Sequence, residues 1–331
     1  MATIREVAKK AGVSVATVSR VINRTGRVKK ETEEKVLEIV KQLNYTPSSI
    51  AVSLNNKKSK TIGLLLPDIT NPFFAELAKG VEEVAKKKGY TVILCNSNGD
   101  LQSELDHLQV LEQKYVDGII LSSHTLTYSH IEECKIPIVS IDRTLDGKLS
   151  SVTSKNYEGA MLATRHLLKK GCERIAHIAG PQNIVTARKR LEGYLAVVKD
   201  SSWYSDELLV YGDYEIQTGY EATLKLLNST QKIDGIFAGN DLMAVGSLKA
   251  IYSLGLRVPE DVAVIGFDGI NFSKITIPEL STIAQPIFEM GLLATDTILD
   301  EIVNSKKNQS FHELSVSLIE RDSTKKSRCD Y

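Results

Sequence analysis

The chain has 331 residues, 42% of them hydrophobic, which is enough to bury more than one core. Its 41 basic and 41 acidic residues cancel overall but not locally: residues 1–60 hold 13 Lys/Arg against 5 Asp/Glu, and the remainder holds 28 against 36. A basic head on an acidic body suits contact with a phosphate backbone, and no apolar run reaches the ~18–20 residues of a membrane span.

The head reads as helices without strands. Thr3 followed by Glu6 has capping-box spacing, and Ile4, Val7 and Ala8 share one helical face. Ala11-Gly12-Val13 is a short connection in which glycine permits a left-handed bend, and Ser14 can cap a second helix. That helix, within SVATVSRVIN, turns Val18 inward with Val21 and Ile22, and leaves Val15, Ala16, Thr17, Ser19 and Arg20 on other faces. Small apolar groups can meet a thymine methyl, hydroxyls can reach phosphates, and arginine can pair with guanine. A third helix over 31–45 offers Val36, Leu37, Ile39, Val40 and Leu43 to close a small core. These residues fit a helix-turn-helix unit, and the alternative reading is an ordinary three-helix bundle with an exposed arginine.

Thr46 and Pro47 then mark the start of a helix of about two turns, roughly 47–54, too short to persist in water unsupported. The polar stretch NNKKSK (55–60) reads as a linker. From Thr61 onward, apolar runs alternate with amphipathic segments: 61–68, 91–97, 117–123, 137–142, 174–180, 234–241 and 262–269 are the runs. Continuous apolar strands between helices predict an α/β body of two doubly wound lobes, with a ligand beyond the carboxyl ends of the strands. The expected division is 1–45 head, 46–60 hinge and linker, and 61–331 body. Lobe one takes about 61–160 plus 291–320, and lobe two about 161–290.

Polar residues fall at the ends of these runs: Asp68, Asp142, Asn240, Asp241 and Asp268. Phe73 and Phe74 follow Asn71-Pro72, and Arg143 and Arg188 supply fixed donors. Carboxylates and amides can bond sugar hydroxyls while aromatic faces cover the ring; a carboxylate taken alone reads first as a loop or helix cap, and it is the repetition at strand ends that points to a ligand.

The string IREVAKKAGVSVATVSRVIN, followed by KVLEIVKQLNYTPSSIAVSL, resembles the N-terminal domain of the lactose/galactose repressor family of bacterial transcription regulators. The resemblance extends to about Thr324, and the body resembles periplasmic sugar-binding proteins, the ribose-binding branch in particular. It implies that Val15, Ala16 and Arg20 read bases, that Thr17, Ser19 and Asn23 position the protein on the DNA backbone, and that Thr3 and Ser14 also belong to the DNA-binding set. It also implies paired hinge helices in the minor groove, with Leu54 wedged between base pairs and Ala51 close to the groove. Lys29 departs from the family's usual Ser or Thr cap on the third helix, and neither Val52 nor Ser53 is the arginine or other long polar residue that family members often carry at one of these positions.

In the body, the segments N-P-F-F (71–74), I-D-R (141–143), A-R-K-R (187–190), N-D (240–241), F-D-G (267–269) and T-I-A-Q (282–285) carry the likeness. By resemblance Asn71, Phe73 and Phe74 meet the sugar, Tyr214 covers its other side, and Asp142, Arg143, Arg188, Asn240, Asp268 and Gln285 bond its hydroxyls. Pro67 stands where the ribose binders have serine, and Tyr214 where they have phenylalanine.

No catalytic constellation competes with this. There is no G-x-S-x-G, H-E-x-x-H, P-loop or dinucleotide fingerprint. His107, His124, His130, His166, His177 and His312 show no metal-ligand spacing, so no metal or cofactor is expected. Cys95, Cys134, Cys172 and Cys329 form no C-x-x-C motif and point to a reducing compartment. The opening MATIREVAKK lacks an apolar h-region, which predicts a cytoplasmic protein.

The expected function is a non-enzymatic, homodimeric repressor of a ribose-utilisation operon. Its partners are double-stranded operator DNA and a small sugar effector, ribose or a related pentose, with or without a phosphate, and no membrane. A global carbon-catabolite regulator with a phosphocarrier protein as corepressor and a transport solute-binding protein are the rival readings.

Overall fold

A computed structural model describes residues 2–23, 25–45, 58–145, 147–229, 232–304 and 309–325. The chain divides into two units, at Lys60 and Thr61.

The first unit holds α1 (Ile4–Ala11), α2 (Val15–Asn23) and α3 (Lys30–Gln42). Thr3 accepts from the Glu6 amide while Glu6 Oε2 accepts from the Thr3 amide at 2.8 Å, so the expected capping box forms. Gly12 ends α1 at φ 68°, a conformation that costs other residues 1–2 kcal/mol, roughly. Ser14 Oγ receives the Thr17 amide at 3.1 Å and starts α2 one turn further on. Val7, Ala8, Ala11, Val18, Val21, Val36 and Ile39 are buried together, whereas Leu37, expected in this core, is 48% exposed. It lies on the helical face opposite Ile39. Lys29 provides no side-chain cap to α3.

In the second unit, β1 (Thr61–Leu66), α4 (Pro72–Lys87), β2 (Thr91–Asn96), α5 (Leu101–Gln113), β3 (Gly118–Leu121), β4 (Ile138–Ile141) and β5 (Ser150–Ser154) build the first lobe. The chain then crosses to α6 (Asn156–Lys169), β6 (Ile175–Ala179), α7 (Val185–Val198), β7 (Leu209–Tyr211), α8 (Ile216–Leu227), β8 (Gly235–Ala238), α9 (Asp241–Ser253), β9 (Ala263–Asp268) and β10 (Ser281–Ala284). It returns through α10 (Ile287–Asn304) and β11 (Phe311–Leu314), and ends beside the second lobe in β12 (Ser317–Ile319).

The first sheet has the order β11-β5-β4-β3-β1-β2 with every pair parallel; the second is β12-β10-β9-β8-β6-β7, parallel except β12 against β10. Apolar side chains such as Ile62, Leu64, Ile120 and Val139 in one sheet, and Ile178, Ile236 and Val264 in the other, are fully buried because helices cover the strands.

The lobe boundaries differ from the expected ones. The chain changes sheets between 154 and 156, between 284 and 287, and between 314 and 317. Residues 317–319, assigned to lobe one from sequence, therefore pair with lobe two through β10. The alternation in SVSLI suits a strand but does not reveal which sheet it joins. Among the described residues, no helix is long and apolar enough to cross a membrane, and no cluster of potential metal ligands occurs.

Candidate functional site

In the head, Val15 is 41% exposed and Ala16, Arg20 and Asn23 are exposed, while Thr17 and Ser19 are half-buried. Val18 is fully buried one turn away, and burial of such a side chain contributes about 1.5–3 kcal/mol toward holding α2 on its bundle. The Thr3 and Ser14 side chains are engaged as caps, and Asn23 Nδ2 donates to Ser19 Oγ at 3.1 Å. Arg20 packs its stem over Gly26. The hinge residues Ala51 and Leu54 lie outside the described residues.

In the body, a recess of about 40 Å³ is lined by Asn71, Phe73, Phe74, His124, Asp142, Thr186, Arg190, Tyr214, Asn240 and Asp268. It shares Asn71, Phe74, His124 and Tyr214 with an outer cleft of about 720 Å³, of which it is the inner end. Strand ends create it: Asp142 follows β4, Asn240 follows β8, and Asp268 closes β9. Asn71 caps α4 by accepting the Phe73 amide at 3.0 Å, and Pro72 fills the first turn, so Phe73 and Phe74 stand at the helix start with ring centroids 5.1 Å apart, edge to face. Tyr214 approaches so closely that a Cβ at Gly180 would sit 2.3 Å from its Cζ.

Arg190 organises the inner end. It is 4% exposed; its Nε donates to Asn156 Oδ1 at 2.8 Å and Nη1 to the Gly239 carbonyl at 2.6 Å, with Nη1 3.2 Å from Asp268 Oδ1. Its guanidinium lies 3.9 Å from the centre of the Phe267 ring. Burial opposes the charge, but Asp268, Tyr214 and Asp142 outweigh it and raise the Arg190 pKa. Burial likewise pushes Asp268 up to about 6, against the lowering pull of Arg190 and Gln285. Asp142 Oδ1 and His124 Nδ1 are buried without a hydrogen-bond partner in the protein. Asp142, Tyr214 and Asp268 have φ of 71°, 65° and 104°, a backbone strain that concentrates at functional sites.

Three expected ligand residues lie elsewhere. Arg188 is exposed, donating to the Gln182 carbonyl at 3.3 Å, and the inward arginine is Arg190. Residues 188 and 190 point about 200° apart on a helix. Arg190 shares a buried face with Ala187, Gly193 and Tyr194, a spacing that was available in the sequence. Arg143 donates to the carbonyls of His124 and Leu126, bracing the loop behind the recess. Gln285 sits one layer back, accepting from Ser154 Oγ and donating to Asp268 Oδ1 at 2.8 Å. Thr186 and His124 join the lining without having been anticipated. Asp241 does not reach the recess. It accepts from the Gly269 and Ile270 amides and from Thr282, fixing the turn after Asp268, and burial drives its pKa upward.

A helix-turn-helix unit followed by a two-lobed body with a polar, aromatic-flanked recess defines a ligand-responsive DNA-binding regulator. Residues 3–48 match the bacterial regulatory proteins of the lacI family, and residues 59–327 match the periplasmic binding proteins and sugar-binding domain of that family. The chain belongs to the lacI family of bacterial regulatory proteins; it is a transcriptional regulator and not an enzyme. It is 46% identical over 325 residues to the ribose operon repressor of Halalkalibacterium halodurans, covering 98% of each chain. Among solved structures it is similar to the lac repressor dimer bound to operator and an anti-inducer, with a TM-score of 0.89 and 28% identity over 98% of this chain and 99% of that one. It is also similar to a lacI-family regulator of Enterococcus faecium with bound ribose, with a TM-score of 0.72 and 32% identity over 80% of this chain and 98% of that one.

Proposed function

We propose that the chain represses a ribose-utilisation operon in the cytoplasm, binding a pseudo-palindromic operator as a homodimer and responding to ribose or a related pentose in the recess. One observation carries the sugar reading: Asp142, Asn240, Asp268 and Arg190 line one recess together with Phe74 and Tyr214, and Asp142 Oδ1 has no partner within the protein. Hydroxyls of a pentose supply the donors this carboxylate lacks, and the aromatic rings cover the apolar face of the sugar. The ribose operon repressor relative and the ribose-bound neighbour support the same ligand class. Val15, Ala16 and Arg20 form the proposed base-reading face, with Thr3, Ser14, Thr17, Ser19 and Asn23 placing it on the backbone.

Fluorescence anisotropy with a labelled operator fragment, titrated with and without ribose, tests this reading. The expected result is a change in operator affinity of about 5–150-fold, the range of an ordinary coupling free energy. Operator binding that ignores ribose but requires a phosphocarrier protein would overturn it in favour of a global carbon-catabolite regulator.

A further inference from the structure

The cleft outside the recess has a charge pattern that pentose binding alone leaves unexplained. Its wide mouth carries Asp68, Asp213 and Glu215, and no lysine or arginine stands among the described residues that line it. At the inner end Asp142 and Asp268 face a single guanidinium, Arg190, already paired with Asp268. Asp142 is 9% exposed and its Oδ1 has no partner within the protein, so this carboxylate is directed at a ligand. His124, at the junction of mouth and recess, adds no cation. Burial lowers its pKa, and Arg143 reinforces this against the opposing pull of Asp142 and Glu104. Arg143 and Arg188 spend donors on backbone carbonyls and line neither compartment.

Helix N-termini are the other common means of holding an anion. Here α4 begins with Pro72, which has no N–H, and Asn71 takes the next amide. Asn240 takes the Met243 amide of α9, and the residue that precedes α8 is Glu215, itself a carboxylate. The start of α7 carries no side-chain cap, but its Thr186 faces the recess, where two carboxylates outnumber Arg190.

We propose that this cleft admits an uncharged sugar and rejects its phosphate esters by charge repulsion. The inference rests on the reading of the recess as a pentose site. A phosphate monoester brings about −1.5 to −2 charges at pH 7. With the sugar ring seated among Asp142, Arg190 and Asp268, that charge either enters the acidic mouth or is buried beside Asp142. Neither place offers a free cation. The expected discrimination is about 100-fold, equivalent to about 2.8 kcal/mol at 1.4 kcal/mol per tenfold.

Titration calorimetry of the full chain with ribose, ribose 5-phosphate, 5-O-methylribose, glucose and glucose 6-phosphate decides the matter. Ribose 5-phosphate should bind about 100-fold more weakly than ribose, and the neutral methyl ether within about tenfold of it. The ester-to-parent ratio should shrink as salt rises from about 0.05 M to about 0.5 M, since exposed Asp213 and Glu215 are screened. It should also shrink about tenfold or more in the double variant Asp213→Asn, Glu215→Gln. An ester within about tenfold of its parent overturns the proposal. So does a methyl ether excluded as strongly as the ester, because size would then suffice. Glucose binding more tightly than ribose overturns the pentose reading alone, and glucose 6-phosphate then meets the same criterion. Failure of every sugar to bind overturns both.

Discussion

Arg190→Met keeps most of the side-chain length and apolar stem but removes the guanidinium. The donors to Asn156 Oδ1 and the Gly239 carbonyl disappear, as does the contact 3.2 Å from Asp268. Truncating one partner of a buried ion pair costs about 3–5 kcal/mol. Asp268, already pushed up to about 6, can relieve part of this by taking a proton, which places the cost near the lower end. At about 2–4 °C per kcal/mol, the melting temperature should fall by roughly 6–12 °C, read by differential scanning calorimetry. Ribose affinity should fall by at least about 100-fold, because the orienting cation and the ionised acceptor are lost together. Arg188→Ala removes only an exposed side chain with a 3.3 Å bond to Gln182 and should change stability by no more than about 0.5 kcal/mol, with sugar binding retained. Arg190→Lys keeps a charge opposite Asp268 without the planar fork; its intermediate affinity keeps the comparison informative if the methionine variant does not fold. Loss of ribose binding in Arg188→Ala together with its retention in Arg190→Met would refute the assignment of the inward arginine.

Arg20→Ala should weaken operator binding by about 1–3 kcal/mol and non-specific binding much less; equal losses on the two DNAs, measured at one salt concentration, would remove its base-reading role. Ribose affinity should decline as pH falls through about 6, where Asp268 takes a proton, and Asp268→Asn should abolish that dependence along with tight binding. The stability contribution of the same group runs oppositely: with a folded pKa of about 6 above the unfolded value of about 3.9, it is present below that lower value and lost as pH rises through about 6. Gly180→Ala should displace the Tyr214 ring, cost about 1–3 kcal/mol of stability and weaken sugar binding, since the added Cβ falls 2.3 Å from Cζ; an unchanged melting temperature and affinity would show that the ring yields freely.

The central strands β1, β3, β4, β6, β8 and β9 were legible because helices cover both faces, leaving uninterrupted apolar runs such as TIGLLL and AVIGFD. β5 escaped notice for the opposite reason. Its sequence SSVTS is polar, yet every residue is buried, because partners far along the chain satisfy it: Ser150 donates to Glu301 and Ser154 to Gln285. No local pattern announces such partners. The edge strands β7, β11 and β12 are three or four residues long, too short for alternation to register. Thr3 and Ser14 were readable as caps because capping is local chemistry, whereas the inward arginine depended on helix phase. His124 carried no sequence signal, since its place in the cleft comes from Arg143 and Glu104 gripping the loop from β3 on two sides.

Four carboxylates at strand ends look interchangeable in sequence, but their surroundings separate them. Asp68 accepts from the Thr70 amide and hydroxyl and fixes a turn. Asp241 accepts from two amides and a hydroxyl and is saturated. Asp142 and Asp268 alone combine burial, positive φ and a place in the recess, and Asp142 also leaves an oxygen unsatisfied. An unsatisfied buried polar atom costs about 1–3 kcal/mol, and a residue in a sparsely populated backbone region about as much again. A folded chain tolerates this where neighbouring contacts enforce it, as Asp241 does by gripping the Gly269 and Ile270 amides beside Asp268. It is offset where a ligand supplies the missing donor. The cost carried at Asp142 therefore lies where a sugar hydroxyl recovers it, so binding energy there is available to distinguish a hydroxyl from its absence.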